Sequence, residues 1–111
     1  MPIADTPDAL PTRDQLLSMS GLEFMQAIRR GELSGPPISK LMGYTLLEVE
    51  DGRVVFRGAP SFQASNPMGQ IHGGWYGTLL DSAMGCAVMT QVPAPPMVSV
   101  APVTVQGPAV A

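Results

Sequence analysis

Apolar residues recur at helical spacing over the first third of this chain and then switch to strand alternation. After Thr12, the apolar Leu16, Leu17 and Met19 predict a short helix. Ser20-Gly-Leu-Glu23 has the form of a capping box, and Leu22, Met25, Ala27 and Ile28 give the helix it opens one apolar side through Arg30. Gly31 suits a helix C-cap, and Ser34 to Pro37 reads as a turn-rich connector. From about Lys40 the pattern changes. Tyr44-Thr-Leu-Leu-Glu-Val-Glu50 and Arg53-Val-Val-Phe-Arg57 flank Asp51-Gly52, a strong short-range signal for a β-hairpin. Gly58-Ala-Pro60 ends the second strand or marks a bulge. Phe62 to Ile71 reads as a loop. It leads into a proline-free stretch in which Trp75, Tyr76, Leu79, Leu80, Ala83, Met84, Ala87 and Val88 give a helix with a broad apolar face.

Two ends of the chain break this order. Residues 1–11 are rich in Pro and Asp and read as a disordered N-terminus. From Val92 to Ala111, 15 of 20 residues are Val, Ala or Pro, five are proline and none is charged. Proline removes ladder donors, so Val98-Ser-Val100 and Val103-Thr-Val105 make one short strand at most, interrupted by Pro102. The expected organisation is one α+β domain over residues 12–92, followed by a Pro/Val/Ala-rich tail over 93–111.

The composition limits the function. A chain of 111 residues is one domain at most. With 45% hydrophobic and 14% charged residues it has much surface to hide, and a chain this short buries only part of it alone. A net charge of -3 and a pI near 4.8 argue against nucleic acid, which needs a basic patch. No apolar run reaches the roughly 20 residues needed to span a bilayer. One cysteine, Cys86, and no signal peptide suggest the cytoplasm. Cys86 reads as a small buried hydrophobe. One His and one Cys give little support to a metal site, and no cofactor is expected.

The candidate chemistry is concentrated in Asn66-Pro-Met-Gly-Gln-Ile-His72-Gly73-Gly74 and Asp81, sixteen residues in all. A glycine pair opening a helix leaves backbone N–H groups bare at the positive end of the dipole, where they can stabilise an oxyanion. Asp81 is the only charged residue between Arg57 and Ala111. A carboxylate amid so much apolar sequence is costly to bury without a reason. Each residue also has an ordinary reading. His72 can be a loop histidine satisfied by backbone, Asn66 can start a turn before Pro67, and Asp81 can be a solvent-facing residue pairing with Thr78 or Ser82. Gly73 and Gly74 can serve only tight packing of the helix start.

As a combination, Asn66, Gly69, His72-Gly73-Gly74, Thr78-Leu79-Leu80-Asp81 and Ala83 resemble the hotdog-fold acyl-CoA thioesterases, most closely the phenylacetate-pathway (PaaI-like) branch. The likeness runs more loosely from about Leu16 to Val92. It implies a curved antiparallel sheet wrapped around one central helix, with residues 12–92 as the N-terminal part of that domain. It also implies three further long strands after the helix, which the charge-free tail does not supply, so a reading frame or gene broken near Gln91–Pro95 is expected, with an authentic Pro-rich ending as the alternative. By resemblance, Asp81 is the general base or the nucleophile. The Gly73 N–H polarises the thioester carbonyl, with Gly74 a weaker candidate. His72 orients the carbonyl or holds the loop, and Asn66 positions the water or the thioester. Gly74 and Thr78 contact substrate. The site forms between two subunits, so a homodimer or tetramer is implied. The implied substrate is an acyl-CoA, aromatic or of short to medium chain. Arg53 and Arg57 are the nearest cations in sequence for CoA phosphates, or else ordinary strand residues. Two rivals are a non-catalytic acyl-CoA-binding module and an inactive truncated fragment.

Overall fold

The computed structural model describes residues 2–94 of the chain. The tail beyond them, with its expected short strand, lies outside the described residues. Helix α1 (Arg13–Leu17) and helix α2 (Gly21–Arg30) each open on a capping box, Thr12 with Gln15 and Ser20 with Glu23. In each, the hydroxyl accepts from the third helical N–H and the longer side chain reaches back to the cap, satisfying two otherwise bare donors. Gly31 ends α2 in the left-handed region at φ 82°.

The connector after α2 holds a helix that the sequence reading did not contain, α3 (Pro37–Met42). Two adjacent prolines suggested only a turn, yet Pro37 sits at the first helical position, where its missing N–H costs nothing. Gly43, at φ 72°, ends α3 and turns the chain into the sheet.

Strands β1 (Tyr44–Glu50) and β2 (Arg53–Gly58) form the predicted antiparallel hairpin. It carries an irregularity between Leu46 and Glu48. Tyr44 and Leu46 face the core, and so does Val49, three residues on. Strict alternation cannot place 46 and 49 on one face. The extra residue, Leu47, shifts the phase and is left partly exposed. After a short 3-10 turn (Phe62–Ala64), helix α4 runs over Gly73–Met89.

Two clusters make the core. Met25 and Ile28 of α2 meet Leu46, Val54 and Ala87, while Tyr44, Trp75 and Leu79 form the second cluster beside them. On α4 the buried residues are Trp75, Leu79, Ala83 and Ala87, one per turn. Three polar ties fix the helix. The Trp75 indole N–H donates to the Met42 carbonyl at 2.7 Å, Tyr44 and Ser82 share a hydroxyl contact at 2.7 Å, and Thr90 Oγ1 accepts from Gly52 N–H at 2.9 Å.

The first residues, read as disordered, have defined contacts. Ile3 bridges Gly35, with Ala4 N–H on the Gly35 carbonyl at 3.0 Å and Gly35 N–H on the Pro2 carbonyl at 2.8 Å. Ala4 is buried. The connector offers the backbone partners that composition could not reveal. The mixed α+β character holds, with a two-stranded sheet among the described residues. None of the described helices is long and apolar enough to cross a membrane.

The tightest contact is at Gly21, where a Cβ would lie 1.7 Å from the Met89 carbonyl oxygen. Backbone cannot yield there as a side-chain tip can. Gly21→Ala is expected to cost about 1–3 kcal/mol by overpacking the α2–α4 junction, read as a lower midpoint in urea unfolding.

Candidate functional site

The loop before α4 is built by Asn66. Its Oδ1 accepts from the N–H of Met68 at 2.9 Å and of Gln70 at 3.1 Å, and its own N–H donates to the Gln70 carbonyl at 2.7 Å. This is the side-chain-to-backbone turn that Asn before Pro favours. Gly69, at φ 77°, completes the reversal. The carboxamide oxygen is therefore committed to the loop, and only the amide nitrogen remains for other work.

His72 is the N-cap of α4. Its Nδ1 accepts from the Gly74 N–H at 2.8 Å, the task usually given to Ser, Thr, Asn or Asp. The bond has a consequence for the glycine pair. Gly74, a candidate donor, already spends its N–H on His72. The Gly73 N–H has no partner among the described residues, and a Cβ there would meet nothing within 4 Å. One bare, accessible donor thus stands at the positive end of a 17-residue helix.

Thr78 donates its hydroxyl to the Gly74 carbonyl at 2.9 Å, inside the helix. Ser82 is taken by Tyr44. Neither pairs with Asp81, which is exposed and has no hydrogen bond or ion pair among the described residues. Arg53 is held by Glu48 at 3.1 Å and Glu50 at 3.5 Å, so it is not a free cation. Arg57 has no such ties among the described residues.

Four of the candidates border two hollows, and Asn66 and Gly73 line neither. His72, Gly74 and Thr78 border one of about 450 Å³, together with Ser61, Gln63, Ala64 and Ser65 of the preceding turn. Asp81 and Ser82 border another of about 380 Å³, lined chiefly by apolar side chains of α2 and the hairpin. From Gly73 to Asp81 the helix rises about 12 Å. No side-chain rotation spans that, so one chain does not bring the two groups onto one small reacting centre.

Cys86 also borders the second hollow. Burial pushes its thiol up from 9.0 to about 11, with the Asp81 charge adding to the effect. A thiol so held is a poor nucleophile at neutral pH. Sequence reasoning missed two features here, the Tyr44–Ser82 hydroxyl pair and the use of Leu10 and Pro11 as cavity wall. No local pattern announced either, because both depend on elements far apart in sequence.

No family model matches the sequence, and neither a curated protein nor a solved structure matches it.

The Cys86 thiol keeps its proton more tightly when folded than when unfolded. Its contribution to stability is therefore complete below about pH 9 and is lost as pH rises toward about 11. Denaturant melts of wild type and Cys86→Ala across that window are expected to diverge, with the wild type losing more stability as pH rises.

Proposed function

We propose that this chain is the subunit of a hotdog-type thioesterase that hydrolyses an acyl-CoA to the free acid and CoA. The observation that carries the reading is the unpaired Gly73 N–H at the open start of α4. A thioester carbonyl set against that N–H gains a hydrogen bond and the helix dipole as its oxygen becomes negative. His72 and Asn66 hold the loop that aims it, and the free Asn66 amide nitrogen can face water or thioester. In the base-assisted form, Asp81 takes a proton from water as the water oxygen bonds to the carbonyl carbon. The C–S bond then breaks, and the proton passes to the departing CoA sulfur. In the nucleophilic form, an Asp81 oxygen attacks the carbonyl carbon, the C–S bond breaks and CoA leaves as thiolate. Water then hydrolyses the resulting anhydride, regenerating the Asp81 carboxylate, releasing the acid and supplying the proton to the CoA sulfur. Neither form needs a cofactor.

The reading requires two copies, because Gly73 and Asp81 are too far apart along one helix. The outer side of α4 supports such an arrangement. Tyr76, Leu80, Met84 and Val88 are each 43–48% exposed and form an apolar stripe. Gly77 lies midway between Gly73 and Asp81, and a Cβ there meets nothing within 4 Å. Two α4 helices crossing antiparallel about a two-fold axis at Gly77 would set Asp81 of each beside Gly73 of the other. A homodimer, alone or paired into a tetramer, is thus part of the proposal. So are aromatic or short to medium acyl groups and a cytoplasmic location.

A second reading has its own observation. The described residues hold two strands only, and the same stripe is uncovered. A chain that left it so would bind or hydrolyse nothing, or would hold acyl-CoA without turnover.

The test begins with light scattering, where a dimer or tetramer is expected, and then acyl-CoA hydrolysis. Asp81→Ala is expected to lower kcat/KM by about 10²–10⁴-fold. Gly73→Pro removes one N–H at a first helical position, where proline is tolerated, and is expected to cost about 10²–10³-fold. His72, at φ -62° and ψ 136°, already has the backbone that precedes proline. Mixing the two inactive variants through unfolding and refolding is expected to restore about a quarter of wild-type activity, since half the dimers then carry one intact site. Gly77→Leu is expected to leave helix content unchanged while giving a monomer without activity. Full hydrolysis by Asp81→Ala overturns the reading.

A further inference from the structure

The hollow beside Asp81 has a composition that selects among ligands. Met25 and Ile28 of α2, Leu46 and Phe56 of the hairpin, and Leu10 and Pro11 of the N-terminal segment supply its walls. Among the described residues that line it, Asp81 is the one carboxylate and none is Lys or Arg. The Ser82 hydroxyl is turned to Tyr44 rather than left for a ligand. The raised Cys86 thiol adds no charge at neutral pH.

An apolar chain entering such a space loses contact with water and meets few polar groups besides Asp81, chiefly the hydroxyls of Ser34 and Ser39. A carboxylate at the end of that chain would instead stand beside Asp81 with no cation to offset the repulsion. The volume, about 380 Å³, lies near the low end of small-molecule sites and limits the chain to a short or medium one.

The geometry points to this hollow as a chamber for the apolar chain of a neutral acyl derivative, with Asp81 at its rim discriminating against the corresponding free acid. As the acyl side of a thioester site it rests on the thioesterase reading, although the binding preference itself needs no turnover. In that setting Asp81 has a second effect. It accepts the uncharged thioester and repels the carboxylate that hydrolysis leaves in the chamber, so product departs without a separate gating motion.

Gly85 offers the means of testing it. It lines the hollow one turn beyond Asp81, and a Cβ there meets nothing within 4 Å. A larger side chain can therefore project into the opening without displacing backbone. Octanamide and octanoate are titrated into the full 111-residue chain at pH 7 by calorimetry. Octanamide is expected to bind about tenfold or more tightly than octanoate, and Asp81→Asn is expected to narrow that gap to about threefold or less. Gly85→Leu is expected to weaken octanamide by about tenfold or more, with circular dichroism unchanged, whereas Gly85→Ala keeps it. Asp81→Asn, at an exposed position, keeps the test decisive should Gly85→Leu fail to fold. Equal binding of acid and amide to wild type overturns the chamber. So does an undiminished affinity in folded Gly85→Leu, or no octanamide binding. Octanamide binding without hydrolysis of octanoyl-CoA overturns the thioesterase reading alone. Hydrolysis without octanamide binding overturns the chamber alone.

Discussion

The contact of Trp75 with Gly58 sets the rest of the molecule. A Cβ on Gly58 would stand 2.6 Å from the indole, so the ring fits against β2 only because that strand has no side chain there. The indole N–H reaches the Met42 carbonyl, and Tyr44 and Leu79 pack around the ring. Once Trp75 is seated, the rotation of α4 is fixed, because each further residue turns by about 100°. Leu79, Ala83 and Ala87 then fall inward, and Tyr76, Leu80, Met84 and Val88 fall outward. Asp81 comes to the hollow over α2, and His72 becomes the residue that caps the helix start. At the other end Gly21 meets Met89, which fixes the tilt of α4 against α2.

Features that depend on neighbours in sequence were legible from the residues alone. The capping box at Ser20, the Gly31 cap, the Asp51-Gly52 hairpin and the start of α4 at Gly73 all follow local chemistry within four residues. Helix α3 was hidden because Pro36-Pro37 carries two meanings, turn and helix start, and the choice depends on Gly43 six residues later. The bulge at Leu47 was implicit in the three-residue gap between Leu46 and Val49, but only a known core face turns that gap into a bulge. The contacts of the N-terminal segment are not legible locally, because their partner, Gly35, lies about thirty residues away.

The candidate site was legible as a list but not as an arrangement. Asn66, His72, Gly73, Gly74 and Asp81 stand out by type and spacing, and Thr78 enters only through the resemblance. Their hydrogen bonds sort them into different kinds of work. Asn66 and His72 spend acceptors on the loop and the cap, Gly74 donates to His72, and Thr78 bonds back within the helix. Asn66 keeps its amide nitrogen free, whereas the Gly73 N–H and the Asp81 carboxylate have no partner at all among the described residues. Spacing cannot make this division, since it depends on which lone pair or N–H the backbone claims first.

These two unspent groups and the uncovered stripe belong to one problem. Helix α4 is apolar nearly all the way round, a pattern characteristic of helices surrounded by protein. The hairpin and α2 cover one side. The opposite side presents Leu80, Met84 and Val88 in line with Gly77 and Gly73, with Asp81 at its margin. Any partner that buries the stripe must therefore approach the bare N–H and the free carboxylate as well. Were the partner a second copy, as proposed, the pairing would be reciprocal about Gly77, and covering apolar surface and joining donor to carboxylate would become a single event. Oligomerisation would then be the step that creates a site, and a lone subunit would be inactive even with every side chain correctly placed. In the proposed pairing, Gly77 at the axis would let the helices come close enough, since a side chain there would hold both unspent groups apart.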